Sequence, residues 1–192
     1  MINIHSDAGA RPVAAWYGGS FDPPHRGHQQ IVDRLVALPY LDRVIVTPAY
    51  LNPFKHDALA SAEQRLVWCQ TIFDEPKVVI DPGEVRAQRP VYSADTLARL
   101  NQKYDVRYIA IGSDNLEAIE SWHNFDHINR AVVWLVFERK GYDSGYEKLR
   151  KFLRFPLKVP ISSRIIRARK TTDDIDKKIA HSVHTTLTKG TP

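Results

Sequence analysis

The stretch Gly18-Gly19-Ser20-Phe21-Asp22-Pro23-Pro24-His25-Arg26-Gly27-His28 sets two glycines and two histidines ahead of an apolar segment. That combination suits the binding of an anion. Gly18 and Gly19 let the backbone approach a ligand closely and adopt positive φ. Successive amides in such a turn form an anion-binding nest, and a helix beginning near Gly27 aims its positive end at the same place. His25 and His28, with the small Gly27 between them, point from the loop and first helical turn into one pocket. The string is neither the dinucleotide fingerprint G-x-G-x-x-G nor a P-loop, since no Gly-Lys-Ser/Thr follows. A metal site on the two histidines would need a third ligand, and no carboxylate or histidine is placed beside the pair.

The elements that must position this loop follow from patterning. Short β-branched or aromatic runs at 13–17, 44–47, 78–80, 108–111 and 132–137 predict strands. Helical patterns lie between them at about 27–38, 62–73, 94–103 and 115–120. The second of these opens with Ser61-Ala62-Glu63-Gln64, a capping-box pattern in which Ser61 and Gln64 satisfy orphan amides reciprocally. Near-continuous apolar strands alternating with helices indicate a doubly wound (Rossmann-like) α/β fold. The expectation is a parallel sheet of about five strands, helices on both faces and a small helical C-terminal piece. In that piece Ile175, Ile179, Val183 and Leu187 repeat every four residues and should pack one stripe on the body. Ligands in such folds bind outside the carboxyl ends of the strands, where the 18–28 loop falls.

Composition narrows the class. The 192 residues, 43% hydrophobic and 26% charged, fit one globular domain over 1–192, with a flexible tail over 1–12 and a helical subregion over 160–192. The single cysteine, Cys69, excludes a disulfide framework and any cysteine-rich zinc or iron–sulfur site. Ala131–Phe137, the longest apolar run, is too short to span a membrane, and Met1–Pro12 lacks the apolar centre of a secretory signal. A cytoplasmic enzyme or binding protein is expected, and a homo-oligomer stays open. The net charge of +5 points to an anionic partner. Nine Lys/Arg fall between Glu147 and Lys170. They read either as a solvated helical face or, in part, as an anion site. No RNA-binding signature or aromatic ladder accompanies them, which argues against nucleic acid as the partner.

The 18–28 string resembles the signature of the HxGH nucleotidyltransferase superfamily, and within it the bacterial nicotinate-mononucleotide adenylyltransferases. Further motifs extend the resemblance. Asn52-Pro53-Phe54-Lys55 is similar to the family's Pro-Pro-His-Lys, and Tyr92-Ser93-Ala94-Asp95-Thr96-Leu97 to its Tyr-Thr-x-Asp-Thr-Leu. Gly112-Ser113-Asp114-Asn115-Leu116 through Trp122 resembles Gly-x-Asp-x-Leu…Trp. Glu138-Arg139-Lys140-Gly141 resembles an Arg-Pro-Gly turn with Lys140 in place of proline. Pro160-Ile161-Ser162-Ser163-Arg164-Ile165-Ile166-Arg167 matches Ile-Ser-Ser-Thr-x-Ile-Arg, with Arg164 where the family has threonine.

The resemblance implies an adenylyltransferase whose catalytic residues are His25, His28 and Arg167. ATP would meet Gly18, Gly19, Ser20, Phe21, His25, His28, Gly112, Asp114, Ser162, Ser163 and Arg167. The mononucleotide would meet Lys55, Tyr92, Ser93, Trp122, His123 and Arg139. Backbone amides around Trp122 and His123 would face the ring's carboxylate. Trp122 serves equally as core packing, and Asp95 and Thr96 equally as a helix cap. Mg²⁺ would ride on phosphate oxygens, with no protein metal site. The mononucleotide phosphate would attack the ATP α-phosphorus in line, without a covalent intermediate. A nicotinamide or dual substrate, a phosphopantetheine acceptor and a non-catalytic basic nucleotide-binding or RNA-binding module are the competing readings.

Overall fold

The computed structural model describes residues 10–51, 58–157 and 161–189. In chain order the elements are β1 (Val13–Gly19), α1 (Arg26–Val36), β2 (Arg43–Pro48), α2 (Ala62–Ile72), β3 (Val78–Ile80), α3 (Gly83–Ala87), α4 (Ser93–Leu100) and β4 (Asp105–Gly112). A 3-10 helix (Ser113–Ser121), α5 (Phe125–Ala131), β5 (Val133–Glu138), a short 3-10 turn (Tyr146–Lys148), β6 (Phe152–Pro156), α6 (Ser163–Arg169) and α7 (Lys177–Lys189) complete it.

All strand pairs are parallel, in the order β3-β2-β1-β4-β5-β6. The order reverses between β1 and β4, and there the connections leave a crevice at the carboxyl ends. Side-chain alternation divides the interior. Ala14, Trp16, Ile109, Ile111, Trp134 and Val136 face one helical layer; Ala15, Tyr17, Ala110, Leu135 and Phe137 face the other. A third cluster joins Trp68 of α2 to Ile166, Ile175, Ile179, Val183 and Leu187, so the predicted four-residue stripe packs on the body.

Three expectations are corrected. The sheet has six strands rather than about five, because part of the basic 147–170 stretch is the edge strand β6 and not a helical face. Its Pro156 ends the strand at an edge, where a missing N–H costs no ladder bond. The basic side chains of that stretch are also dispersed. Lys148 pairs with Glu120 at 3.2 Å, Arg154 pairs with Glu138 and covers the Tyr146 ring, and Arg167 turns toward the 18–28 loop. Finally, only half of the Ser61 capping box forms, with Ser61 Oγ accepting the Gln64 N–H at 3.2 Å.

Candidate active site

The complete capping box of this protein belongs to α1, and imidazoles build it. His25 is the N-cap in extended conformation, and its Nδ1 accepts the Gly27 N–H at 3.1 Å. Reciprocally, His28 Nδ1 accepts the His25 N–H at 3.2 Å. The rings stack with centroids 3.8 Å apart. A Cβ on Gly27 would lie 3.0 Å from the His25 ring, so any larger residue there must push the ring aside by a few tenths of an ångström.

These bonds fix the chemistry of His25. An accepting Nδ1 puts the proton on Nε2. His25 is 1% exposed, and burial, aided by the Arg139 charge, pushes its pKa down to about 3. It is therefore a neutral donor at physiological pH. Its Nε2 is buried without a hydrogen-bond partner among the described residues, a deficit of about 1–3 kcal/mol that an arriving oxygen would relieve.

The anion-nest expectation changes at this point. The N–H groups of Arg26, Gly27 and His28 are taken by Asp174 O, His25 Nδ1 and His25 O. The first-turn amides of α1 are thus committed, and the unpaired donor is an imidazole. Nor do Gly18 and Gly19 carry positive φ; Phe21 does, at 49°. The Phe21 ring is 1% exposed and packs on Tyr17, His28 and Phe73, so it offers a ligand only its backbone.

Segments far apart in sequence meet at this loop. Arg167 Nη1 donates to Asp22 O at 2.6 Å and to Asp22 Oδ2 at 3.3 Å. Ser163 Oγ donates to Pro23 O at 3.0 Å, and Ser162 Oγ caps α6 by accepting the Ile165 N–H at 3.3 Å. The Ser163 proton is therefore spent on the loop, whereas the Ser162 hydroxyl acts as an acceptor. Asp22, 3% exposed, also accepts from Leu59 N at 2.7 Å and Ala60 N at 3.0 Å. Arg65 is buried too and clamps the ends of β1 and β2, donating to Ala60 O, Ser20 O, Ala49 O and Tyr50 O at 2.6–3.1 Å. Sequence reasoning missed both residues as determinants of the site. Asp22 stood inside the motif, but nothing in the pattern around Arg65 set it apart from an ordinary helical cation.

Beside the loop opens a cavity of about 230 Å³ at the β1/β4 switch point. Gly18, Gly19, Ser20, His28, Tyr92, Ser93, Gly112, Asp114, Trp122, His123 and Arg139, all expected site residues, line it. His25, Phe21, Ser162, Ser163 and Arg167 are not part of that wall; Lys55 and its motif lie outside the described residues. Asp114 Oδ1 pairs with Arg139 Nε at 3.1 Å, and a Cβ on Gly112 would strike both groups. Ser113 Oγ accepts the Arg139 N–H at 2.9 Å and fixes the start of that turn.

At the other end the Tyr92 and His123 rings lie 4.7 Å apart, tilted by 31°. Trp122 is both wall and core, half-buried with its ring edge-on to Trp134. The Trp122 N–H donates to Ile119 O at 3.1 Å, so it does not face a ligand as expected. Thr96 is no cap; its hydroxyl donates to the buried Glu84 at 2.7 Å, while Asp95 stands exposed in the first turn of α4. Burial pushes the Cys69 thiol up, consistent with a small core residue.

A cytidylyltransferase-like family model matches residues 16–169, from β1 through α6. The chain belongs to that family. Among named relatives of this cytidylyltransferase-like chain is a probable nicotinate-nucleotide adenylyltransferase of Sulfurovum sp. (strain NBC37-1). It is 44% identical over 93% of this chain and 95% of its own. A protein of the same name from Campylobacter jejuni (strain RM1221) is 36% identical over 88% of this chain and 93% of its own. Among solved structures, the nicotinic acid mononucleotide adenylyltransferase of Plasmodium falciparum complexed with NaAD aligns with a TM-score of 0.69 at 18% identity. That alignment covers 93% of this chain and 95% of the other, a likeness of fold. No helix among the described residues is long and apolar enough to cross a membrane.

Proposed function

We propose that this chain is a nicotinate-nucleotide adenylyltransferase, joining ATP and nicotinate mononucleotide into nicotinate adenine dinucleotide with release of pyrophosphate, in NAD biosynthesis. The observation that carries the proposal is the convergence of the His25/His28 capping box and the Arg167 helix on one loop, beside a crevice with an aromatic end. The names of the relatives favour the same chemistry.

The mononucleotide phosphate is already an anion, so its attack on the α-phosphorus needs no general base. What the reaction needs is two polyanions held in line and charge neutralised as pyrophosphate leaves. The neutral Nε2–H of His25 supplies a donor without repelling or trapping a proton, His28 stacks against it, and Arg167 supplies fixed positive charge from α6. Asp114 serves ribose hydroxyls through its second oxygen, with the adenine lying beside Gly112. Arg139 faces the mononucleotide phosphate, and Tyr92, Ser93, Trp122 and His123 enclose the ring.

Magnesium would be carried by the phosphate oxygens of ATP and would supply charge neutralisation there. The donor set fits that role rather than a protein cage: the Asp22 carboxylate beside the loop is occupied by two backbone N–H groups and Arg167. Such an enzyme would work in the cytoplasm.

Pyrophosphate release from ATP, measured in parallel with nicotinate mononucleotide, nicotinamide mononucleotide and phosphopantetheine, tests the proposal. Release driven by the first is expected. Release with phosphopantetheine alone, or salt-sensitive RNA binding without turnover, would overturn it.

A further inference from the structure

The wall of the crevice contains a carboxyl that the proposed reaction does not use. Glu84, in the first turn of α3, lines the cavity and is 7% exposed. Its Oε1 accepts the Thr96 hydroxyl at 2.7 Å. Thr96 lies three residues after Ser93 on α4, so the carboxyl is held to the helix that presents Tyr92 and Ser93 to the same cavity.

The charged groups around Glu84 divide in sign. Asp81, just beyond β3, disfavours its anion, and Arg99 of α4 favours it. Arg99, however, is held bidentately by Asp81 at 2.9 and 2.6 Å. The cavity wall adds His123 after the 3-10 helix, Asp114 and Arg139 beyond β4 and β5, and His28 and Tyr17 from the β1 side. Arg86 on α3 itself is exposed. With Arg99 occupied, burial dominates and pushes the Glu84 pKa up to about 7.

Resting on the pyridine-mononucleotide reading, we infer that Glu84 is a specificity-determining residue whose charge discriminates the acid from the amide form of the pyridine ring. Protonated, it tolerates or donates to a ring carboxylate. Ionised, it repels that carboxylate and accepts from a carboxamide NH₂. Rising pH therefore shifts preference from the acid toward the amide.

The test is kcat/KM for nicotinate and nicotinamide mononucleotides, with ATP, from pH 6 to 8.5 on the full chain. In the wild type the acid/amide ratio falls about tenfold as Glu84 ionises, the size of effect that a neighbouring like charge exerts in a partly screened site. E84Q, whose amide oxygen still accepts from Thr96, gives a ratio independent of pH. H123Q keeps the slope, and T96V, lacking the bond that favours the anion, moves the midpoint upward. A flat wild-type ratio, a slope that survives E84Q, or one abolished by H123Q overturns the inference. Failure of the underlying reading looks different: neither mononucleotide would release pyrophosphate at any pH.

Discussion

Arg167 and Asp22, 145 residues apart, are joined through one guanidinium nitrogen that reaches both the backbone carbonyl and the carboxylate of the aspartate. The carboxylate is almost fully buried and the guanidinium partly so. This contact sets the 18–28 loop and α6 on the same side of the crevice. Removing one partner of such a pair leaves a charge without compensation. Asp22→Asn should destabilise the fold by about 3 kcal/mol, read as a shift in urea midpoint. A double-mutant cycle with Arg167→Met should give a coupling of about 1–3 kcal/mol; simple additivity would refute the pairing.

His25→Ala removes both the cap and the unpaired Nε2–H donor. Turnover should fall on the order of 10²–10³-fold, as for loss of an oxyanion-type donor, with helix-cap destabilisation of about 1 kcal/mol. His25→Asn separates the two effects, since asparagine still caps. Its Tm should stay near wild type while kcat drops. A wild-type rate from a folded His25→Ala enzyme would contradict the donor role.

The same histidine sets an acid-side dependence. In the unfolded chain it takes a proton below about 6.5, whereas in the native state it stays neutral down to about 3. Between those values the unfolded state binds the extra proton. Stability is therefore lost as pH falls, by roughly 1.4 kcal/mol per pH unit from this group. Denaturation midpoints of the wild type and His25→Asn should diverge in this way below pH 6.5 and run parallel above it.

Gly27→Ala places a methyl 3.0 Å from the His25 ring. The stacked pair must shift, and kcat/KM should fall about tenfold or more because reacting groups lose alignment. A crystal structure of the variant would show the centroid spacing increased beyond 3.8 Å.

Arg65→Lys replaces a planar fork that serves four carbonyls with a single ammonium. Two or more buried carbonyls would lose their donors, so destabilisation of about 2–4 kcal/mol is expected from thermal or urea unfolding. Retention of wild-type stability would mean that other donors satisfy the loops after β1 and β2.

The fold was legible wherever periodicity was strong. The five predicted strands are all present because each is a short apolar run, and the Ile175–Leu187 stripe packs as its spacing demands. β6 escaped because its edge position exposes Phe152, Leu153 and Arg154 together, leaving neither alternation nor a continuous apolar run. At the site, residue types announced themselves in the His25–His28 string and in Ser162-Ser163. What they donate to did not, because that depends on contacts across the chain. The amides after His25 were spent on Asp174 and on His25 itself, and the Ser163 hydroxyl on Pro23. Glu84 gave no signal at all, since only its encounter with Thr96 and the cavity distinguishes it from a surface acid.

The paired imidazoles have a consequence for how this protein tolerates variation. On the proposed chemistry the rings offered to the nucleotide also cap the first crossover helix, so folding and turnover would draw on the same atoms. A substitution at either position is screened twice, once during maturation and once at work. Drift that a purely catalytic residue could survive in a dormant copy would here leave a chain that struggles to assemble.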